Sequence, residues 1–217
     1  MDSVVIVCET IRDEYLDAAE KCGCTYETRW IESGLHNVPD KLRSRLQDEL
    51  NSITHKRVLL CFGTCGNSVI GLETRDFELV IPRIDDCISM LIGSVAQRTK
   101  INSSHSAYFL TAGWLRGERN IFAEYEYTLE KYGDVTGKEI MDVMLANYKN
   151  LALLDTGSYD LKDAKDESQR IANVLDLELM VLPASVNYIT QLLTGPHDPD
   201  RFSIFPPNTK LEAVPLA

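Results

Sequence analysis

The strongest constraint on the fold is the alternation of short apolar segments with amphipathic segments along the chain. Residues 3–8, SVVIVC, form a short continuous apolar run, as expected for a strand that is buried on both faces of a sheet. Residues 9–23 then carry apolar side chains at helical spacing and stop at Gly23. Repeated alternation of this kind predicts an α/β fold, in which parallel sheets have helices on both faces.

The same pattern predicts the remaining elements. Strands are expected at 25–32, 56–63, 78–82, 107–114, 151–157 and 177–185, with an edge strand in 201–207. Helices are expected at 38–53, 85–94, 118–133, 137–150, 163–176 and 186–195.

One segment, 95–106, is polar and has no helical or strand period. It is interpreted as a boundary between two α/β halves, or as a crossover within one sheet. We therefore expect two Rossmann-like lobes around a cleft, an N-terminal lobe at 1–95 and a C-terminal lobe at 106–217.

Charge and hydropathy exclude some classes of partner. The formal net charge of −11 argues against nucleic acid and anionic membranes, which both attract basic surfaces. No apolar run is long enough for a transmembrane helix, and the start MDSVVIVCET has an acid where a signal peptide has basic residues. We expect a cytoplasmic protein, in which the six cysteines serve core packing, metal ligation or redox chemistry.

Four soft donors follow the first four predicted strands. They are Cys8, His36, Cys65 and Cys87. Ligands of doubly wound sheets bind beyond the carboxyl ends of the strands, so these side chains are expected at one crevice. Three cysteines and one histidine match the ligands of a tetrahedral zinc site, and thiolates also suit iron or an iron–sulfur cluster. The alternative is that the thiols only pack and His36 caps a helix.

The turn that carries Cys65 supports a functional interpretation. Gly63 and Gly66 flank this cysteine and give the turn the backbone freedom to direct a thiolate into the crevice. Cys22 and Cys24 lie at the opposite end of the predicted sheet, and Cys61 lies within a strand, so these three are interpreted as outside the site.

Several motifs resemble an uncharacterised family, domain of unknown function sixteen-thirty-eight. They are Cys8 with Glu14, LHN at 35–37, FGTCG at 62–66, PRIDDC at 82–87, YFLTAGW at 108–114, EKYG at 130–133 and NYKNLALLDTG at 147–157. The family often has an acid where this chain has Thr64, and a histidine where it has Asp86. The likeness extends over most of the chain.

The resemblance implies a metabolic context but does not specify a reaction. Members of that family tend to occur in anaerobes, near corrinoid-dependent methyltransferase systems. This implies a metal-dependent transferase of methyl groups, or an accessory protein of one-carbon metabolism, with a small molecule or a corrinoid as ligand. A methyltransferase or a corrinoid protein is the implied partner.

Further residues are candidates for the surroundings of the site. Glu14 is a candidate to orient His36, with a solvated helix acid as the competing interpretation, and Asn37 belongs to the same motif as that histidine. A facing wall from the second lobe is expected to include Thr111, Trp114, Glu124, Tyr132 and Asp155. For Trp114 and Tyr132, ordinary packing is the competing interpretation.

Other function classes stay open. A protein that binds a corrinoid or another tetrapyrrole without turnover is one, although an Asp-x-His-x-x-Gly signature is absent. A disulfide couple of Cys65 with Cys8 or Cys87, and a hydrolase that uses Cys65 and His36, are others. The chain has no Walker lysine and no Gly-x-Gly-x-x-Gly after its first strand, so no nucleotide cofactor is expected.

Overall fold

The computed structural model describes residues 2–117 and 120–216, and within these ranges the strands form two sheets. The strands are β1 (Ser3–Cys8), β2 (Glu27–Ile31), β3 (Arg57–Cys61), β4 (Glu78–Pro82), β5 (Ala107–Leu110), β6 (Asn150–Asp155), β7 (Glu178–Pro183) and β8 (Phe202–Phe205). The α-helices are α1 (Arg12–Cys22), α2 (Pro39–Asn51), α3 (Cys87–Ile92), α4 (Val95–His105), α5 (Ala112–Arg116), α6 (Ile121–Tyr132), α7 (Asp134–Leu145), α8 (Leu161–Leu175) and α9 (Asn187–Thr194).

The first sheet has the strand order β2-β1-β3-β4-β8. Its first four strands are parallel, and β8 pairs antiparallel with β4 at the edge. The second sheet has the order β5-β6-β7 and is parallel throughout. The predicted α/β fold with mainly parallel sheets is confirmed, and the predicted C-terminal edge strand is present.

Alternate residues of β1 enter two separate cores, which explains the continuous apolar run. Val4 and Ile6 face the leucines of α2, whereas Val5 and Val7 face α1 and α9. All four valine and isoleucine side chains are fully buried. A strand covered by helices on both faces has no position for a polar residue, and this is the pattern that the sequence shows.

The core shared by α1 and α9 also includes residues of the second sheet. Phe109 of β5 and Leu154 of β6 belong to the same cluster of buried residues as Val5 and Ile189. A further cluster, built mainly from β6 and α8, covers the other face of the second sheet. The two sheets therefore pack against each other through α1 and are held by one continuous core.

The lobe boundaries differ from the predicted ones at the C-terminal end. The expected C-terminal lobe covers 106–217, but α9 packs against α1 and β8 pairs with β4 of the first sheet. The last part of the chain thus returns to the N-terminal sheet. The pairing satisfies backbone groups at the edge of β4, and a local sequence pattern cannot reveal such a long-range partner.

Most of the polar segment 95–106, interpreted as a boundary or a crossover, is helix α4 (Val95–His105), which lies between β4 of the first sheet and β5 of the second. Ser94 caps α4 by accepting a hydrogen bond from the backbone N–H of Gln97 at 3.1 Å. Helix α4 has no buried residue, so it lacks the apolar stripe on which the sequence-based prediction depends.

Two further elements begin or end elsewhere than predicted. The strand expected at 107–114 stops at Leu110, because Thr111 caps α5. The helix expected at 137–150 spans Asp134–Leu145, and Gly137 lies inside it, where a side chain would collide with the backbone of Leu129 in α6. Residues 118 and 119 of the helix expected at 118–133 lie outside the described ranges. Among the helices described, none is both long and apolar enough to cross a bilayer.

Candidate functional site

A cavity of about 360 Å³ lies at the carboxyl ends of β1 and β3. Eight of the residues proposed from the sequence line it. They are Cys8, His36, Gly63, Cys65, Gly66, Asp86, Cys87 and Trp114. All four candidate metal ligands thus lie around one cavity, as the topology of a parallel sheet predicts for residues that follow its strands.

Cys65 and Cys87 are held by two neighbouring turns, one after β3 and the other after β4. The backbone N–H of Thr64 donates to the carbonyl of Ile84 at 2.9 Å, and that of Cys65 donates to the carbonyl of Asp85 at 2.7 Å. A Cβ at Gly63 would lie 2.6 Å from the Cα of Asp86. Only glycine allows the turn after β3 to approach the turn after β4 this closely.

Cys65 has a left-handed backbone, with a φ of 43°. A non-glycine residue seldom adopts this conformation, and it persists only where the surrounding structure enforces it. Gly66, also left-handed at 66°, would bring a Cβ to 3.0 Å from the ring of Pro39 in α2. The chain therefore places a thiol in a bend that would accommodate glycine at lower cost, which favours a role for the sulfur atom.

Asp86 links the turn to the start of α3. Its Oδ1 accepts a hydrogen bond from the backbone N–H of Ser89 at 3.0 Å and so caps the helix that begins at Cys87. Arg98 of α4 binds both neighbouring carboxylates, with Nη1 at 3.0 Å from Oδ2 of Asp85 and in contact with Oδ2 of Asp86. This arginine thus holds in place the two carboxylates that line the cavity.

His36 and Trp114 form the opposite side. Their ring centroids are 4.8 Å apart at an interplanar angle of 61°. Nε2 of His36 is buried and has no hydrogen-bond partner among the described residues. Burial lowers the pKa of His36, and the nearby charge of Asp86 opposes this effect only in part. The imidazole is therefore held neutral, with a free nitrogen of the kind that binds metals.

Trp114 also lies near Cys87. Its indole N–H is buried and has no hydrogen-bond partner within residues 2–117 and 120–216, but its proximity to the Cys87 sulfur counteracts part of the rise in the pKa of that thiol. Helix α5 brings Trp114 into position by resting directly on the carbonyl of Thr10, where Gly113 leaves no space for a side chain. The indole of Trp114, on the helix that follows β5 of the second sheet, thus covers thiols at the strand ends of the first sheet.

Burial favours the protonated form of the three thiols. Each residue keeps partial exposure, but the sulfur atoms are surrounded by protein, and burial raises the pKa of Cys8, Cys65 and Cys87. A charge on Cys8 would raise the pKa of both other thiols, since all three residues line the same cavity. The Sγ atom of Cys8 donates to Oγ1 of Thr10 at 3.2 Å.

The three thiols and the imidazole of His36 do not converge on one position that a metal ion could occupy. Across residues 2–117 and 120–216, no group of three or more His, Cys, Asp or Glu side chains is arranged so that it could hold a metal ion. The four candidate ligands line the same cavity without forming such a group.

A family model described as Protein of unknown function (DUF1638) matches residues 30–193. The chain belongs to this family. The matched region contains His36, Cys65 and Cys87, whereas Cys8 precedes it. No curated protein and no solved structure matches the chain.

Besides Glu124 and Tyr132, five of the residues proposed from the sequence do not line the cavity of this DUF1638 protein. They are Glu14, Asn37, Thr64, Thr111 and Asp155. Thr64 and Thr111 support segments that line the cavity. The backbone of Thr64 hydrogen-bonds to the turn after β4, and Thr111 caps α5. Asn37 is exposed at the end of the 3-10 turn Leu35–Asn37, and Oδ1 of Asp155 accepts the backbone N–H of Gly157 at 3.1 Å.

Glu14 has a different partner from the expected one. Its Oε1 accepts a hydrogen bond from Oγ1 of Thr156 at 3.4 Å, and it does not contact His36. Glu124 and Tyr132, also expected on the facing wall, are exposed on α6 and do not line the cavity.

Sequence reasoning missed several residues of the cavity. They are Thr10, Glu32, Leu42, Cys61, Phe62 and Asp85. Phe62 and Asp85 lie inside motifs that the sequence already singles out, so proximity to Cys65 and Cys87 was a usable signal. Cys61 is fully buried, as expected for a core residue, and its sulfur is 3.9 Å from that of Met90.

Proposed function

We propose that Cys8, His36, Cys65 and Cys87 bind one thiophilic transition metal, with zinc as the first candidate and iron or an iron–sulfur cluster as the alternative. One observation carries the proposal: four donors from four separate strand-end connections line a single cavity. Donors on dispersed loops are more typical of a functional metal site than of a structural knuckle.

The donor set suits such an ion. His36 presents a neutral imidazole with an unpartnered nitrogen. The buried thiols stay protonated alone, and a divalent cation would offset the cost of charging them, so that binding releases protons. All six cysteines are free thiols, which fits a reducing compartment, and we place the protein in the cytoplasm on this ground.

The size of the cavity favours a metal with a small substrate. Ligand pockets in proteins span about 300–1,000 Å³, and this cavity is near the lower end. We propose a metal-dependent enzyme or accessory protein whose metal acts as a Lewis acid on a small molecule. Trp114 would shield that molecule from water, and Arg98 would hold the carboxylates beside it.

The narrower proposal is a role in one-carbon methyl metabolism with a methyltransferase or corrinoid protein as partner, and it follows from the family resemblance. A corrinoid held without turnover is the second candidate. A macrocycle of that kind would exceed the enclosed volume and would have to rest on the rim of the cavity, so the metal proposal has the stronger structural support.

Elemental analysis of protein purified without oxygen tests the proposal. About one zinc or iron per chain is expected for the wild type. Cys65→Ser and His36→Gln should reduce this content strongly. Cys22→Ser is the matched control, because Cys22 is also a half-buried thiol but lies outside the cavity.

The same preparation separates the candidates. A visible thiolate-to-metal charge-transfer band favours iron, and retained cobalamin or tetrapyrrole favours the second candidate. Folded wild-type protein that binds neither zinc nor iron on reconstitution would overturn the metal proposal.

A further inference from the structure

Helix α1 meets the second sheet through acidic side chains, and we call this contact the α1 seam. It consists of Asp13, Glu14 and Asp17 on α1, Arg116 at the end of α5, and Thr156 and Ser158 after β6. Asp13 pairs with Arg116, and Oδ2 of Asp17 accepts a hydrogen bond from Oγ of Ser158 at 2.8 Å. Both contacts lie at the edge of the seam, where water still reaches one partner.

Glu14 is at the centre of the α1 seam and is fully buried. Its Oε1 accepts the long hydrogen bond from Thr156, and its Oε2 is buried with no partner in the part of the chain that the structure describes. A neutral carboxyl tolerates this environment, whereas an ionised one loses its hydration and gains only its own backbone N–H and the long bond from Thr156 as donors.

The charges around Glu14 do not compensate for its burial. Burial raises its pKa to about 7, and the charge of Asp13 adds to the rise, while the backbone N–H of Glu14 itself, the bond from Thr156 and the charge of Arg116 oppose it. Tyr159, from the same loop as Thr156, stays neutral because burial raises its own pKa. Helix α9 also packs on α1, but its sequence NYITQLLT contains no charged residue.

The α1 seam and the thiol cavity share one short element. Helix α5 has five residues, of which Gly113 rests on the carbonyl of Thr10, Trp114 lines the cavity and Arg116 pairs with Asp13. A change in the distance between α1 and the second sheet must therefore move Trp114 relative to the thiols.

We propose that Glu14 couples proton binding to closure of the cavity: its protonated form keeps α5 docked on α1, and its ionised form loosens the α1 seam and lets Trp114 move away from the thiols. The cavity opens as the pH rises through neutrality. This inference concerns access to the proposed metal site, but the movement itself does not require a bound metal.

Acrylamide quenching of Trp114 fluorescence in metal-free protein tests the inference. A Trp30→Phe background leaves Trp114 as the single tryptophan, since the chain has two. Between about pH 5.5 and about pH 8.5, the Stern–Volmer rate constant should rise with a midpoint near 7, the pKa of Glu14. Glu14→Gln should abolish the transition and keep the low-pH value throughout.

Two further variants fix the interpretation. Glu20→Gln removes an exposed carboxylate from the same helix and should retain the wild-type transition. Thr156→Val removes the hydrogen bond that lowers the pKa of Glu14, so its midpoint should move to higher pH, and this variant decides the matter if Glu14→Gln does not fold.

A quenching constant independent of pH in the wild type, or an unchanged transition in Glu14→Gln, would overturn the inference. Either result leaves the metal proposal intact, because metal content is measured separately. Wild-type protein that binds no metal but shows the pH transition in Trp114 quenching would reject the metal site and retain the role of Glu14.

Discussion

The backbone N–H of Cys65 donates a hydrogen bond of 2.7 Å to the carbonyl oxygen of Asp85. This bond joins the turn after β3 to the turn after β4, so that two residues separated along the chain by a whole strand form one rigid support. Cys65 and Cys87 are both carried by it. The relative position of the two Cα atoms that carry these thiols is therefore fixed by backbone geometry.

The close approach at Gly63 predicts a strong effect of a single methyl group. In Gly63→Ala the new Cβ would meet backbone atoms of Asp86 that cannot turn away, so the two turns must separate. We expect a loss of about 1–3 kcal/mol in the free energy of unfolding, measured with urea. Gly157→Ala is the comparison, since no atom of the described residues lies within 4 Å of its Cβ position and its cost comes only from its left-handed φ of 71°. Gly63 has no positive φ, so a Gly63→Ala variant as stable as the wild type would contradict the collision.

The left-handed backbone of Cys65 predicts a conflict between stability and function. Glycine adopts a φ of 43° without strain, so Cys65→Gly should be more stable than Cys65→Ala by about 1 kcal/mol in metal-free protein. Both variants lack the sulfur and should bind less metal than the wild type. Urea unfolding of the two metal-free variants measures the difference, and an alanine variant as stable as the glycine variant would contradict the strain.

Buried Glu14 predicts that the protein loses stability as the pH rises. The folded-state pKa of about 7 is above the ordinary glutamate pKa of 4.5, so the folded state holds its proton more tightly than the unfolded state. The stabilising effect is complete below about pH 4.5 and is lost between there and about pH 7. The loss from this group is about 3 kcal/mol.

Urea unfolding at several pH values, compared between the wild type and Glu14→Gln, isolates this contribution. The difference in unfolding free energy between the two proteins should change by that amount across the interval and stay constant above it. A difference that does not vary with pH would mean that Glu14 is hydrated in solution.

Local sequence patterns predicted the features of the site that depend on strand order. Cys8, Cys65 and Cys87 follow parallel strands, and parallel strands deliver their carboxyl ends to one edge of the sheet, so their common cavity could be expected. The same reasoning placed His36 there. Trp114 was also expected on the facing wall, and it lines the cavity.

Features that depend on tertiary contacts could not be predicted in this way. Arg98 lies on a helix with no apolar stripe, so neither the helix nor its ion pairs with Asp85 and Asp86 left a periodic signal. Glu14 reads as an ordinary acid of an amphipathic helix, and only the packing of α1 against the second sheet buries it. The pairing of β8 with β4 joins segments that are distant along the chain, which no short window contains.

X-ray absorption spectroscopy at the edge of the metal, on protein purified and reconstituted without oxygen, tests the central claim most directly. For zinc, the account predicts a shell of three sulfur atoms at about 2.3 Å and one nitrogen at about 2.0–2.1 Å. Cys87→Ser should reduce the sulfur count by one, whereas Cys24→Ser should leave the shell unchanged. A shell of oxygen and nitrogen atoms alone would contradict the account.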